Sequence, residues 1–155
     1  MSKRLAGYDY SQPGYYLITI CTQYHRLIFG TIVDAQLSLR APGQIADSVW
    51  MTLPRRFAHV KLDEYVFMPN HMHGIIQLTD FNTTPAARAS LWEIVRVFKA
   101  ASSYHIRRAP GQPWFAWQDE YYDSVLRTEK GLAKARQYIL DNPLRWAQDK
   151  FYKPY

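Results

Sequence analysis

The sequence is short of cysteine and of long apolar runs, and both absences narrow what the protein can be. A single cysteine, Cys21, excludes an internal disulfide and any cysteine-rich zinc site. Because Cys21 lies inside an apolar stretch, we expect a buried structural thiol. No apolar run approaches the ~18 residues that a transmembrane helix needs, and the N-terminus lacks the apolar core of a signal peptide. The sequence therefore predicts a cytoplasmic protein.

Acidic residues are also scarce. There are 13 aspartates and glutamates against 19 lysines and arginines, which gives a formal net charge of +6 at pH 7. This excess suggests an anionic partner, although a basic protein without such a partner would have the same composition. The chain is 48% hydrophobic and 15% aromatic, as is typical of a folded protein. We expect one domain over residues 1–155, with an N-terminal arm (1–14) and a C-terminal tail (143–155).

The pattern of apolar residues predicts a mixture of strands and helices. Ser90 and Glu93 form a capping box that predicts the start of one helix. Thr128 can cap the final helix, which Pro143 ends. The predicted strands lie at 15–22, within 27–39, and at 60–67, 71–78 and 121–127, and the predicted helices lie at 42–57, from 91 to about 108, and from 129 to about 142.

Two histidines stand one residue apart at the beginning of a predicted strand. Residues two apart in a strand point to the same face, so His71 and His73 would stand side by side with their ring nitrogens converging above the sheet. Imidazole is the commonest protein ligand for divalent metals, and the pair could form half of a metal site. Two partly exposed histidines that simply begin a strand would give the same sequence.

The final predicted helix carries a second group of polar residues. Tyr138 and Asn142 are four residues apart and share a face, with Lys134 one turn earlier. The two imidazoles and the Asn142 oxygen could hold one Mg²⁺ or Mn²⁺, which would polarise a phosphodiester by binding a non-bridging oxygen. Tyr138 could then attack the phosphorus, with a metal or base nearby because the reference pKa of tyrosine is ~10. Taken alone, Tyr138 is explained more simply as a residue of an amphipathic helix.

Together these motifs resemble the REP-associated tyrosine transposases, where REP is a repetitive extragenic palindrome. This family is a branch of the single-tyrosine HUH transposases, in which U is a hydrophobic residue, here Met72. The resemblance extends from Tyr15 to Trp146. The matching segments are Met68–Ile76, Trp117 and Gln118 with Tyr121–Asp123 and Arg127, and Gln137–Pro143.

The resemblance implies roles for the candidate residues. His71 and His73 would be metal ligands, Asn142 would complete the site, and Tyr138 would form a covalent 5′-phosphotyrosine with DNA. Asn142 stands where related insertion-sequence transposases have glutamine, and asparagine fits the REP-associated branch. The implied fold is α+β: a ferredoxin-like antiparallel β-sheet flanked by α-helices, with the tyrosine on the C-terminal helix. The implied substrates are single-stranded DNA hairpins with a short unpaired foot, and a monomer and a homodimer both remain possible.

The basic residues of two predicted helices are the candidate contacts to DNA phosphates, because we expect them to cluster near the site. They are Arg96, Lys99, Arg107, Arg108 and Lys134. The arm residues Lys3, Arg4, Tyr8 and Tyr10, together with Trp114, are weaker candidates for contacts to the foot bases. Trp117 is more readily explained as a cover for the core.

Two functions are compatible with this sequence. The first is a metal-dependent endonuclease and strand transferase that acts on single-stranded DNA. The alternative is a non-catalytic module that binds structured single-stranded DNA or RNA hairpins. A two-histidine RNA phosphoesterase is excluded, because it needs a second His-x-Ser or His-x-Thr motif, and the remaining histidines, His25, His59 and His105, stand in other contexts.

Overall fold

Six strands and four α-helices form the scaffold of the computed structural model, which describes residues 4–80 and 83–155. In chain order they are β1 (Gly14–Cys21), β2 (Gly30–Val33), β3 (Gln36–Leu39), α1 (Ala41–Met51), α2 (Leu53–Arg56), β4 (Val60–Met68), β5 (His71–Leu78), α3 (Leu91–Arg107), β6 (Tyr122–Leu126) and α4 (Glu129–Asp141).

The central sheet has four strands in the order β4-β5-β1-β6, and every neighbouring pair is antiparallel. With helical connections between its strand pairs, this order is ferredoxin-like, so the predicted α+β fold class is confirmed. The predicted 27–39 segment forms the hairpin β2–β3, which lies outside the central sheet. None of the helices in residues 4–80 and 83–155 is long and apolar enough to cross a membrane.

One predicted helix differs from the structure. Residues 42–57 do not form one helix, because α1 ends at Met51 and the short α2 follows with Pro54 in its first turn. Proline has no backbone N–H and its ring collides with the preceding turn, so it belongs at the start of a helix rather than in its interior. The apolar spacing continues across this break, which is why periodicity alone misses it.

The two faces of the sheet bury different layers. Tyr16, Ile18 and Ile20 point to one face, where they share a large core with Trp50 of α1 and Phe98 of α3. The alternate residues point to the other face, which α4 covers through Ala135 and Ile139 packed near Ile75 and Leu17. Strand pairing sets His71 opposite Cys21 and His73 opposite Thr19, so both histidines lie on the α4 face.

Gly74 follows His73 directly in β5 and lies against the large Trp50 side chain. A Cβ at position 74 would come within 2.7 Å of Trp50 Cζ2 and 3.1 Å of Trp50 Cη2. Both atoms belong to the six-membered ring of the indole. The absence of a side chain at Gly74 therefore lets the indole pack directly on the strand that carries the site.

We expect Gly74→Ala to lower the free energy of unfolding by about 1–3 kcal/mol, the usual cost of overpacking a core. The measurement is urea unfolding of the variant beside the wild type. Trp50→Phe removes the two colliding atoms, so Gly74→Ala should cost clearly less in a Trp50→Phe background. An equal loss of unfolding free energy in both backgrounds would show that Trp50 is not the group that excludes a side chain at Gly74.

Candidate active site

The two histidines are buried side by side with one nitrogen of each ring already hydrogen bonded. His71 is 0% exposed and His73 is 2% exposed, and their ring centroids lie 4.8 Å apart. His71 Nδ1 lies 2.8 Å from Asn70 Oδ1, and His73 Nδ1 lies 2.6 Å from Thr19 Oγ1. The Nε2 atoms of both rings are buried and have no hydrogen-bond partner within the described ranges.

The hydrogen bonds of Asn70 determine which nitrogen of His71 carries the proton. The Asn70 amide Nδ2 donates to the carbonyl oxygens of His25 (3.3 Å) and Phe151 (2.7 Å). Asn70 Oδ1 is therefore an acceptor, and His71 Nδ1–H donates to it. This leaves the lone pair of His71 Nε2 directed into the site, which is the arrangement that a metal ligand requires.

Asn142, at the end of α4, contributes a third potential metal-ligating atom. It is the C-cap residue of the helix, 3% exposed, and its Nδ2 donates to the Tyr138 carbonyl at 2.8 Å. With the amide nitrogen used inside the helix, the buried Oδ1 has no hydrogen-bond partner in the part of the chain that the structure describes. Pro143 follows directly, so α4 cannot continue and Asn142 stays at its end.

These three atoms fit a divalent metal. Buried polar atoms without hydrogen-bond partners are rare, because burying such an atom without a hydrogen bond costs about 1–3 kcal/mol. Here two imidazole nitrogens and one amide oxygen have no hydrogen-bond partner in the described residues. His71 Nε2 and Asn142 Oδ1 offer electron pairs, and His73 Nε2 does so when its Nδ1–H donates to Thr19 Oγ1. Imidazole nitrogens bind divalent transition metals, and carbonyl oxygens suit Mn²⁺ and Mg²⁺.

Asp149 also lies at the site, and the sequence reasoning missed it. Its Oδ2 is 3.6 Å from His71 Nε2. His71, His73 and Asp149 each offer a ligand atom, and these atoms all lie within 4.8 Å of one another. The rings of Trp146 and Phe151 flank His71, with centroids 6.2 and 4.8 Å from its own. Asp149 belongs to an irregular segment, and no spacing in the sequence connects it to the histidines.

Burial shifts the pKa of each titratable group of the site in the direction that favours its neutral form. It lowers the pKa of His73 to about 4 and the pKa of His71 well below its usual value, and the positive charge of Lys150 adds to both effects. Burial likewise raises the pKa of the Asp149 carboxyl and of the Tyr138 phenol. At neutral pH the histidines are therefore unprotonated and able to bind a metal, whereas Tyr138 holds its proton.

The depressed pKa of His73 predicts sensitivity to acid. The unfolded chain protonates this histidine near pH 6.5 while the folded chain resists until about pH 4. The free energy of unfolding is therefore unaffected by His73 above pH 6.5. As the pH falls from 6.5 towards 4, it decreases by up to about 3 kcal/mol, because the unfolded chain binds a proton that the folded chain does not. We expect urea unfolding in EDTA to show this loss in the wild type and in His105→Asn, and a smaller loss in His73→Asn. An unchanged loss in His73→Asn would show that another group causes it.

Tyr138 lies beside the histidine pair and remains accessible. Its ring centroid is 5.1 Å from that of His73, and the residue is 43% exposed. Thr128 Oγ1 caps the start of α4 by accepting from Gly131 N at 2.9 Å. Arg136, two residues before Tyr138, forms a bidentate ion pair with Asp63 of β4 at 2.8 and 2.7 Å. These contacts fix the position of the helix, and with it the tyrosine, over the sheet.

The predicted basic cluster is not brought together at the site. Lys134 is exposed on α4, on the same side of the sheet as the histidines, but α3 packs on the opposite face. Two of the three candidate cations in α3 hold the loop that follows the helix. Lys99 Nζ donates to the carbonyls of Gln118 (2.6 Å) and Asp119 (2.9 Å), and Arg107 Nε donates to the Phe115 carbonyl (2.8 Å). Arg96 and Arg108 lie over the rings of Trp92 and Tyr104 at 5.7 and 5.1 Å. The expectation of one cluster was wrong, since amphipathic periodicity does not say which face of the sheet a helix covers.

The remaining candidates lie at the periphery. Trp114 is 81% exposed, whereas Trp117 is buried and donates from Nε1 to Ser102 Oγ at 2.9 Å. Arg4 Nε lies 3.7 Å from Asp123 Oδ2. Tyr8 and Tyr10 pack against each other with ring centroids 4.9 Å apart, and Lys3 lies outside the described residues.

Comparison with solved structures identifies the class of fold. A REP-associated tyrosine transposase bound to a REP hairpin has the same fold, with a TM-score of 0.68 and 17% sequence identity over 97% of this chain and 77% of that chain. The fold that the resemblance implies is thereby confirmed: the chain shares its fold with this tyrosine transposase. No family model matches the chain.

A closer sequence relative is an uncharacterized protein of Haemophilus influenzae. The two are 34% identical over 166 aligned residues, which cover 97% of this chain and 92% of the relative. The chain therefore belongs to the same family as this Haemophilus influenzae protein.

Proposed function

We propose that the protein is a metal-dependent endonuclease and strand transferase that cleaves single-stranded DNA beside hairpins through a covalent 5′-phosphotyrosine. The observation that carries this proposal is that His71 Nε2, His73 Nε2 and Asn142 Oδ1 are all buried and without a hydrogen-bond partner in the described residues. The Asn142 side chain lies beside both histidines, and the half-exposed Tyr138 ring lies against His73. A purely structural role would not require three unsatisfied electron-pair donors to share one place.

The two histidines and Asn142 would hold Mg²⁺ or Mn²⁺. When bound, the ion would neutralise charge on a non-bridging phosphate oxygen. The residues around it keep the ligands in place: Asn70 and Thr19 hold the Nδ1 sides of the two rings, and the Tyr138 carbonyl holds the Asn142 amide. Orientation of this kind is worth about 10–100-fold in metal affinity.

Tyr138 would supply the nucleophile. Its phenol loses a proton, the Oη–phosphorus bond forms, and the bond from phosphorus to the 3′ oxygen of the upstream nucleotide breaks. That 3′ oxygen takes up a proton, and the downstream strand stays attached to Tyr138 through its 5′ phosphate. Attack by another 3′ hydroxyl reverses these steps and joins the strand to a new end. The bond energy is conserved, so the reaction is a strand transfer rather than a hydrolysis.

We infer that the DNA substrate is a hairpin with unpaired flanking nucleotides, because the transposase of the same fold is bound to a REP hairpin. The net charge of +6 favours a polyanion. Lys134 and Lys150 are exposed on the histidine side of the sheet and are the best placed cations for phosphates. Arg96, Arg108 and Trp114 would serve DNA that extends across the other face. Such a protein would act in the cytoplasm, where the chromosome lies.

The test is a covalent-adduct assay with the full chain. Hairpins drawn from DNA that flanks the gene, labelled at either the 5′ or the 3′ end, are incubated with Mg²⁺ or Mn²⁺ and separated on a denaturing protein gel. We expect an adduct that carries only the 3′-side label and that disappears with EDTA. Tight binding without an adduct across several hairpins and both metals would favour the non-catalytic binding module instead.

A further inference from the structure

The segment that follows α4 returns to the histidine pair. Asp149 Oδ1 accepts a hydrogen bond from the Phe151 backbone N–H at 2.8 Å, while Oδ2 lies 3.6 Å from His71 Nε2. The Asp149 side chain is only 7% exposed. This carboxylate is thus held by its own turn, and its second oxygen is directed at the site rather than at solvent.

The contact between Asp149 and His71 is not a hydrogen bond. His71 donates from Nδ1 to Asn70, so its Nε2 offers a lone pair to a carboxylate oxygen that also offers lone pairs. His71 Nε2 has no hydrogen-bond partner in the residues that the structure describes. A cation bound between His71 Nε2 and Asp149 Oδ2 would interact favourably with both atoms.

The spacing is that of two ligands of one ion. A metal about 2.1 Å from each of two adjacent ligands holds those ligands about 3.0–3.4 Å apart, depending on whether the geometry is octahedral or tetrahedral. The 3.6 Å between His71 Nε2 and Asp149 Oδ2 exceeds that range by only about 0.2 Å. The His73 ligand atom falls inside the same 4.8 Å group.

We propose that Asp149 is a further ligand of the metal, supplied by the segment after α4 and bringing a negative charge to a set that His71, His73 and Asn142 leave neutral. The inference deepens the proposed function and rests on its metal site, but not on its DNA chemistry. A carboxylate ligand shifts the preference of the site towards hard cations such as Mg²⁺ and Mn²⁺.

Metal binding by Asp149 would also affect residues 149–151, which already contact the histidine side of the sheet. Phe151 packs on His71 and on His25, with ring centroids 4.8 and 5.3 Å apart, and its carbonyl accepts from Asn70 Nδ2. Lys150 Nζ lies over the Phe151 and Tyr122 rings at 4.9 and 5.3 Å, which places a cation beside the site. A metal bound by Asp149 would therefore tie residues 149–151 to the sheet and fix the position of Lys150.

The experiment is a Mn²⁺ titration of the full chain without DNA, in which electron paramagnetic resonance reports the free ion. The variant is Asp149→Asn, which keeps an oxygen for the Phe151 N–H. The matched control is Asp141→Asn, because Asp141 lies on α4, where it interacts with Gln137 and Arg145. Loss of even an outer partner of a ligand costs about 10–100-fold in affinity, so we expect Asp149→Asn to weaken Mn²⁺ binding at least about tenfold and Asp141→Asn to leave it unchanged.

Hydrogen exchange of the same samples gives a second readout. Mn²⁺ should slow exchange of the amides of residues 150–152 in the wild type and in Asp141→Asn, but not in Asp149→Asn. Unchanged or tighter Mn²⁺ binding by a folded Asp149→Asn variant would overturn the inference; tighter binding would mean that the segment obstructs the site. If the wild type binds Mn²⁺ but forms no DNA adduct, the proposed reaction fails while the ligand assignment stands.

Discussion

Replacing Tyr138 by phenylalanine is expected to abolish the covalent protein–DNA adduct while leaving hairpin affinity within about twofold of the wild type. Phenylalanine keeps the ring beside His73 but has no oxygen to attack phosphorus, and removing the nucleophile of a covalent enzyme costs on the order of 10³-fold or more in rate. The two measurements are adduct yield on a denaturing gel and the dissociation constant from fluorescence anisotropy. The conservative change should leave the fold intact, because Tyr138 is 43% exposed.

The matched control is Tyr104→Phe, since Tyr104 is also an exposed helical tyrosine but lies on α3, across the sheet from the site. It should form the adduct at the wild-type rate. An adduct of undiminished yield in Tyr138→Phe would assign the nucleophile to another residue.

The second large effect is expected from the histidines. His73→Ala removes a ligand that is 2% exposed, and we expect the loss of measurable Mn²⁺ binding together with the loss of the adduct. Binding to the folded state alone stabilises a protein by about 2.7 kcal/mol when the free ligand is 100 times its dissociation constant. The wild type should therefore gain about that much stability with saturating Mn²⁺ and His73→Ala should gain none.

The control for the histidine prediction is His105→Ala, because His105 is an exposed residue on α3. Its Mn²⁺ stabilisation should equal that of the wild type. If His73→Ala were stabilised by Mn²⁺ to the same extent as the wild type, the assigned metal site would be wrong.

The parts of the site that follow local periodicity could be predicted from the sequence. The two-residue period of a strand puts His71 and His73 on one face, and the structure shows them there with ring centroids 4.8 Å apart. The four-residue spacing of Tyr138 and Asn142 and the stop at Pro143 fix the end of α4, and Asn142 is indeed its C-cap. Ser90 and Thr128 both accept the capping hydrogen bonds that their motifs predict.

What could not be predicted depends on contacts between distant segments. Asp149 reaches His71 because an irregular segment folds back across the sheet, and no periodicity describes such a path. The α3 cations looked equivalent to Lys134 in the sequence, yet α3 and α4 cover opposite faces. Lys99 and Arg107 have partners in the following loop that only the tertiary structure reveals.

Peptide mapping of the covalent adduct by mass spectrometry is the most direct test that Tyr138 is the nucleophile. The wild-type chain is incubated with a hairpin and Mn²⁺, digested with protease and nuclease, and searched for a peptide that carries one nucleotide. We expect a 5′-nucleotide on the peptide that contains Tyr138, and on no other tyrosine. A nucleotide on a different residue, or a hairpin cleaved with no modified peptide at all, would contradict this assignment.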